Sequence, residues 1–218
     1  MRRQVESFRE LPQNEEKKND RSGRTEMKLI LASGSPRRKE ILGAAGYEFT
    51  VCTADVDETL PRGMSAIEGV RLLAVRKGDA VCARIGDDLP VLSADTLVEL
   101  DGRKLGKPQN EEDAARMLRA LSGRAHAVDT GVAVHYRGRT VSAVATTRVV
   151  FRTLTEEEIA AYVASGEPMD KAGAYAIQGL GGALVAGFDG DMDTVVGLSM
   201  RTVKHLLDEV TEGSSDDA

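Results

Sequence analysis

The segment Ser33-Gly34-Ser35-Pro36-Arg37-Arg38-Lys39 follows an apolar run and opens a helical pattern. It would bring free backbone N–H groups, a helix N-terminus and two guanidiniums to one strand end. Each suits phosphate, because the N–H dipoles attract anions and arginine offers a planar donor fork. Bases in a first helical turn also oppose the macrodipole unless an anion sits there. The plainer alternative is a solvated basic turn paired with surface acids.

Asp95 is the second signal. It lies in Ser93-Ala94-Asp95-Thr96, inside an otherwise apolar stretch where a carboxylate is costly unless paired or liganded. It reads as a metal ligand or general base at a strand break, or as a bulge aspartate capping a local turn. Glu58, in Asp55-Val56-Asp57-Glu58, is a weaker candidate, since acidic loops are usually solvated. Lys77 and Lys107, each taken alone, read as surface lysines. Gln178 sits amid Gly173, Gly179, Gly181 and Gly182, where backbone can approach a ligand closely. Its amide offers a donor and an acceptor, enough to read a base edge, with a loop-internal hydrogen bond as the alternative. His126 and His135 read as structural.

Other chemistries are disfavoured. Gly102 to Lys107 is one residue short of a P-loop, and Pro108 stands where Ser or Thr would bind Mg²⁺. Gly179, Gly181 and Gly182 do not make GxGxxG, and three scattered histidines make no HExxH. The chain has 218 residues with 29 Lys+Arg against 35 Asp+Glu, and the acid excess is concentrated from Asp208 onward. With a near-neutral body, four Phe, four Tyr and no Trp, it lacks the footprint of a nucleic-acid binder. No run of ~18 apolar residues suggests a membrane span. Cys52 and Cys82 lie far apart and read as free thiols in a reducing compartment. The acid-rich N-terminus is a poor export signal, so a cytoplasmic protein is expected.

The elements that must position these residues follow from periodicity. Residues 1–26 read as a disordered extension, 27–210 as one domain, and 211–218 as a disordered acidic tail. MKLILA (27–32) reads as a buried strand. Ser35 caps a helix with Pro36 at its first position, running to Gly46. YEFTVCTA (47–54) alternates like a strand, and 65–84 has helical spacing. PVLSADTLVELDG (90–102) reads as two strand pieces interrupted near Ala94-Asp95 and ended by an Asp101-Gly102 turn. Glu111–Leu121 is an amphipathic helix whose stripe is core. A long hairpin turns at Arg137-Gly138. Thr155 and Glu158 form a capping box for a helix to Ser165. Residues 166–182 read as loop, ALVAGFDG (183–190) as strand and 199–210 as helix. The sum is α/β with a mixed twisted sheet flanked by helices.

Six pieces occur in order: Ser33-Gly-Ser-Pro-Arg-Arg38 after a strand, Asp57-Glu58, Lys77 on a helix, Ser93-Ala-Asp-Thr96, Gly106-Lys-Pro108, and the run from Gly166-Glu-Pro-Met-Asp170 to Gln178-Gly179. Together they resemble the Maf family of nucleoside triphosphate pyrophosphatases, from about Met27 to about Leu207. The resemblance implies two lobes around a central cleft in the Maf/ITPase-like arrangement, and a homodimer. It implies metal-dependent hydrolysis, with Mg²⁺ or Mn²⁺, of a nucleoside triphosphate to the monophosphate and pyrophosphate. Asp95 becomes the proton acceptor for water, and Glu58, Lys77 and Lys107 match the other catalytic positions. Asp95 and Glu58 are the expected metal ligands, with attack at the α-phosphorus. Ser33, Arg37, Arg38, Thr96 and Gln178 are the expected substrate-binding residues, of which Arg37, Thr96 and Gln178 bear on base selectivity.

Ala94-Asp-Thr96 and Asp170 to Gln178 resemble the branch acting on dTTP and UTP. The alternatives are 7-methyl-GTP or another modified nucleotide, or a nucleotide-binding regulator of septum formation. Two positions depart from the family: Ser93 stands where Gly is common, and Ala176 where Gly is frequent. If that glycine needs a positive φ, Ala176 would strain the loop that presents Gln178.

Overall fold

A computed structural model describes residues 27–212. The readings of 1–26 as an extension and of 213–218 as a disordered tail lie outside the described residues. The elements are β1 (Leu29–Leu31), α1 (Pro36–Ala44), β2 (Phe49–Val51), α2 (Ala66–Ile85), β3 (Val91–Leu100), β4 (Arg103–Leu105) and α3 (Glu111–Leu121). They continue with β5 (Ala125–Tyr136), β6 (Arg139–Phe151), α4 (Glu156–Ala164), β7 (Val185–Asp189), α5 (Met192–Val196) and α6 (Met200–Glu212). One seven-stranded sheet runs β2-β1-β3-β5-β6-β7, with β4 also on β3. The β2, β1 and β3 strands are parallel, and the remaining pairs are antiparallel.

Local signals account for most boundaries. Ser65 with Glu68, and Thr155 with Glu158, complete capping boxes on α2 and α4. Arg137-Gly138 and Asp101-Gly102 both adopt positive φ at two successive residues, the geometry a two-residue hairpin turn requires. The second of these turns makes β4, which the sequence reading missed. Ser35 does occupy the N-cap of α1, but its side chain caps nothing; its N–H donates to Ser33 Oγ at 3.3 Å. The expected loop at 166–182 contains three short 3₁₀ turns, and α5 was not foreseen. Helix α6 also runs two residues into the expected tail, where Thr211 Oγ1 donates to Leu207 O.

The expected interruption at Ala94-Asp95 does not exist. β3 is one ten-residue strand, and Asp95 pairs with Gly131 in an unbroken ladder to β5. What is interrupted is its other neighbour. β1 pairs with Val91 and Leu92, β4 pairs with Val98 to Leu100, and residues 93–97 have no strand partner on that edge. The gap separates two apolar cores. One holds Leu29, Leu31, Leu42, Val134 and Leu206; the other holds Val98, Leu118, Val128, Phe151 and Tyr162. Leu42 and Leu118 are fully buried, a contribution of ~1.5–3 kcal/mol each. These are the two lobes.

Helix α2 crosses the sheet unusually closely beside the gap. A Cβ on Gly131 would sit 2.3 Å from the carbonyl oxygen of Val70, and one on Gly78 would sit 2.2 Å from the ring of His135. Ser93 is accommodated at this contact: buried, its hydroxyl donates to Ala74 O at 2.7 Å. The family departure at Ser93 is therefore a tie between strand and helix.

Candidate active site

A cleft of about 670 Å³ opens at the gap beside β3, between β1 and β4, and all nine sequence-predicted site residues line it. These are Ser33, Arg37, Arg38, Glu58, Lys77, Asp95, Thr96, Lys107 and Gln178.

The close approach of α2 places Lys77 over Asp95, with Nζ 2.6 Å from Asp95 Oδ1 and 2.7 Å from Glu58 Oε1. The side chains of Asp95 and Lys77 are only 11% and 18% exposed, so each buried charge has a partner. Glu58, more open, is held by a strap on α2. Leu60 packs where Gly69 lacks a side chain, and the Arg76 guanidinium binds the carbonyls of Asp57 and Thr59. The Lys77 hydrogen bond draws the Glu58 carboxyl below its usual range against the effect of burial, helped by the charges of Lys77, Lys107 and Arg38. A carboxylate and an ammonium in contact, at an open strand edge, can take a proton from water and oppose negative charge developing beside it.

Arg38 is built into the floor. Its Nε donates to Gly197 O at 2.8 Å, and its two terminal nitrogens donate to Ser33 Oγ at 3.1 Å and Thr96 Oγ1 at 3.3 Å. Three of its five N–H groups are thus committed, leaving two for a phosphate. Burial works against its charge, opposed by Asp95 and Glu58. Thr130 Oγ1 donates to Thr194 O at 2.8 Å and lies 2.9 Å from Thr96 Oγ1. A hydroxyl has one proton, so Thr96 must donate to Thr130 and can meet a ligand only as an acceptor.

At the cleft mouth Arg37 reaches Asp170 at 3.6 Å, and Asp170 also pairs with Lys171. Lys107 is exposed and faces the Glu58 side. Gln178 is exposed at the rim, and its amide makes no hydrogen bond among the described residues. The loop-internal alternative is therefore absent, and the amide is available to a ligand. The expected strain at Ala176 is also absent. The non-glycine residue with positive φ in this loop is Ala174, at 60°, fully buried beside Gly173.

The sequence reading missed Thr130, Thr194 and Gly197, and quoted Asp170 and Lys171 within the late-loop motif without giving either a role of its own. Thr130 left a faint signal, being part of a polar pair, Asp129-Thr130, in the middle of the largely apolar stretch Ala127–Val134. The others act through backbone carbonyls or across loops, which no local pattern records.

The Maf family model, described as Maf-like protein, matches residues 28–210. The chain belongs to the Maf family. A relative from Moorella thermoacetica named dTTP/UTP pyrophosphatase is 52% identical over 182 residues, covering 83% of this chain and 93% of the relative. Relatives of the same name from Neisseria gonorrhoeae and Bacillus cereus are 46% and 49% identical, covering 83% and 82% of this chain and 93% and 94% of their own. Among solved structures, the Staphylococcus aureus Ham1 protein matches with a TM-score of 0.48 and 17% identity, over 86% of this Maf chain and all of that one.

Proposed function

We propose that this Maf protein hydrolyses dTTP and UTP to the monophosphate and pyrophosphate, with water attacking the α-phosphorus. The observation that carries the reading is the Asp95–Lys77–Glu58 array beside the Ser33–Arg38 turn in one cleft. The names of its relatives at about half identity support the substrate class.

Asp95 takes the proton of the attacking water. Lys77, already against Asp95, opposes the charge that builds on the α-phosphoryl oxygens. Arg37, Lys107 and the two free N–H groups of Arg38 hold the remaining phosphates, and Ser33 orients Arg38. Gln178 and the acceptor of Thr96 face the base, where a uracil or thymine ring presents an N3–H donor between two carbonyl oxygens.

Asp95 and Glu58 are the residues that would hold a divalent cation. Both already contact one cationic atom, Lys77 Nζ, so the donor set suits a small hard cation. Among the described residues no group of three or more His, Cys, Asp or Glu could hold an ion. Two carboxylates are within the usual complement for Mg²⁺, which typically takes one or two plus substrate phosphates. When bound, the ion would neutralise triphosphate charge and lower the pKa of bound water. A cytoplasmic homodimer is proposed with the activity, on the family resemblance alone.

The test is a panel of dTTP, UTP, CTP, GTP and 7-methyl-GTP with Mg²⁺ or Mn²⁺, assayed separately for pyrophosphate and orthophosphate. Pyrophosphate from dTTP and UTP above the others is expected. Orthophosphate release, a 7-methyl-GTP preference, or silence from the folded, metal-supplied protein would overturn the reading.

A further inference from the structure

The rim segment that carries Gln178 has no strand to hold it. Three of its backbone donors go instead to two side chains outside it. Ala176 N–H donates to Tyr162 Oη at 3.0 Å, and Tyr162 Oη donates to Glu167 Oε1 at 2.8 Å. Gly181 N–H donates to the same Oε1 at 3.0 Å, and Leu180 N–H donates to Oε2 at 3.0 Å. The chain is thus fastened two residues before Gln178 and two residues after it.

The glycines of this segment fit the same fastening. A Cβ on Gly181 would lie 2.6 Å from Tyr162 Oη, and one on Gly179 would lie 2.3 Å from Glu167 Oε2. The clamp therefore needs the close backbone approach that only glycine allows. Its two members differ in setting. Tyr162 projects from α4 into the core that contains Phe151 and Tyr175, so its ring is fixed by packing. Glu167 is partly exposed, and its carboxylate closes the circuit from that fixed hydroxyl back to the rim. Neither residue lines the cleft.

We propose that Tyr162 and Glu167 are positioning residues that set nucleobase preference by holding residues 176–181 around Gln178. This rests on the base-reading role given to Gln178 above. An amide distinguishes uracil from cytosine only if its donor and acceptor ends are held in register with the base edge, whose N3 and C4 groups are reversed between the two. A site that loses such register by about an ångström loses selectivity, while chemistry at the far end of the cleft continues. Asp95, Lys77 and Glu58 sit on β3, α2 and the 57–60 strap, and none of the clamp's hydrogen bonds goes to these elements.

The experiment compares wild type with Tyr162→Phe, Glu167→Gln, Gln178→Ala and the Tyr162→Phe/Gln178→Ala double variant. Each is assayed for pyrophosphate release from UTP and CTP, with amide hydrogen exchange in the nucleotide-free protein as a readout independent of turnover. Tyr162→Phe and Glu167→Gln should raise KM for UTP about fivefold, the scale of one or two hydrogen bonds, with kcat within about twofold. The UTP-over-CTP ratio should fall by a similar factor, and exchange should quicken at 176, 180 and 181 while α2 and β3 stay protected. The double variant should lose no more selectivity than Gln178→Ala, since the two act as one unit.

Glu167→Gln carries the test alone if Tyr162→Phe fails to fold. Folded variants that keep the wild-type ratio, that slow UTP and CTP equally through kcat, or that leave exchange at 176–181 unchanged overturn the clamp. Additive selectivity losses in the double variant do the same. A wild type that does not prefer UTP overturns the dTTP/UTP reading itself and the clamp with it, a result separable from a selective wild type with unaffected variants.

Discussion

Asp95 shows how a fold can accommodate an expensive side chain. Its carboxylate is nine-tenths buried on a central strand, tolerated because Lys77 reaches it from a helix and the strand's outer edge is open there. Removing the charge while keeping the shape separates its two duties. Asp95→Asn should lower kcat on the order of 10²–10⁴-fold, the usual range for a positioned general base. Secondary structure by circular dichroism should be unchanged, because the amide still fits and Glu58 still pairs with Lys77. Turnover near the wild-type level in the folded variant would remove Asp95 from the chemistry.

The contact between α2 and the sheet is the element on which the site depends. Gly131→Ala would drive a methyl against the Val70 carbonyl, which cannot move without the whole helix moving. The expected cost is about 1–3 kcal/mol in denaturant unfolding. Turnover should fall further than stability, because any lift of α2 separates Lys77 from Asp95; loss of stability with unaltered kcat would show that the contact is not needed for alignment. This same contact explains what the sequence could and could not disclose. The Thr155–Glu158 capping box, the Arg137-Gly138 hairpin and the helical stripe at Glu111–Leu121 are local chemistry and were legible; the Ser65–Glu68 box was equally local and was overlooked. Asp95 was legible as an anomaly, yet its explanation was misread. A strand break seemed necessary because the residue that neutralises it lies 18 positions away on another element. β4 was too short for periodicity to show, and the condition for strain at Ala176, a positive φ, is met instead at Ala174. The nine cleft residues were found through the phosphate-suited turn and the family's motif order. Tyr162 and Glu167 were invisible, since a tyrosine in a helical apolar stripe looks like any core residue.

Across the whole molecule, one buried group ties stability to pH. His126 is packed edge-on against Phe151 and Tyr175, with ring centroids 5.1 and 5.4 Å away, and Nε2 lies 2.8 Å from Tyr175 Oη. Burial pushes its pKa down to about 4 from an ordinary 6.5. Between those values the unfolded chain takes up a proton that the native protein refuses, so this contribution is complete above about pH 6.5 and is lost as pH falls through about 4. The expected effect is roughly 3 kcal/mol, read as a falling thermal midpoint over that window. A His126→Gln protein should lack that part of the acid dependence; an identical profile would assign it to other groups.

The bond from Arg38 to the carbonyl of Gly197 spans 159 residues of chain. During synthesis, a nascent chain that already contains Asp95 and Lys77 still lacks the oxygen that fixes this guanidinium. Arg38 is set only once Gly197 has left the ribosome and docked, so the floor of the cleft is finished by a residue made long after the rest of it.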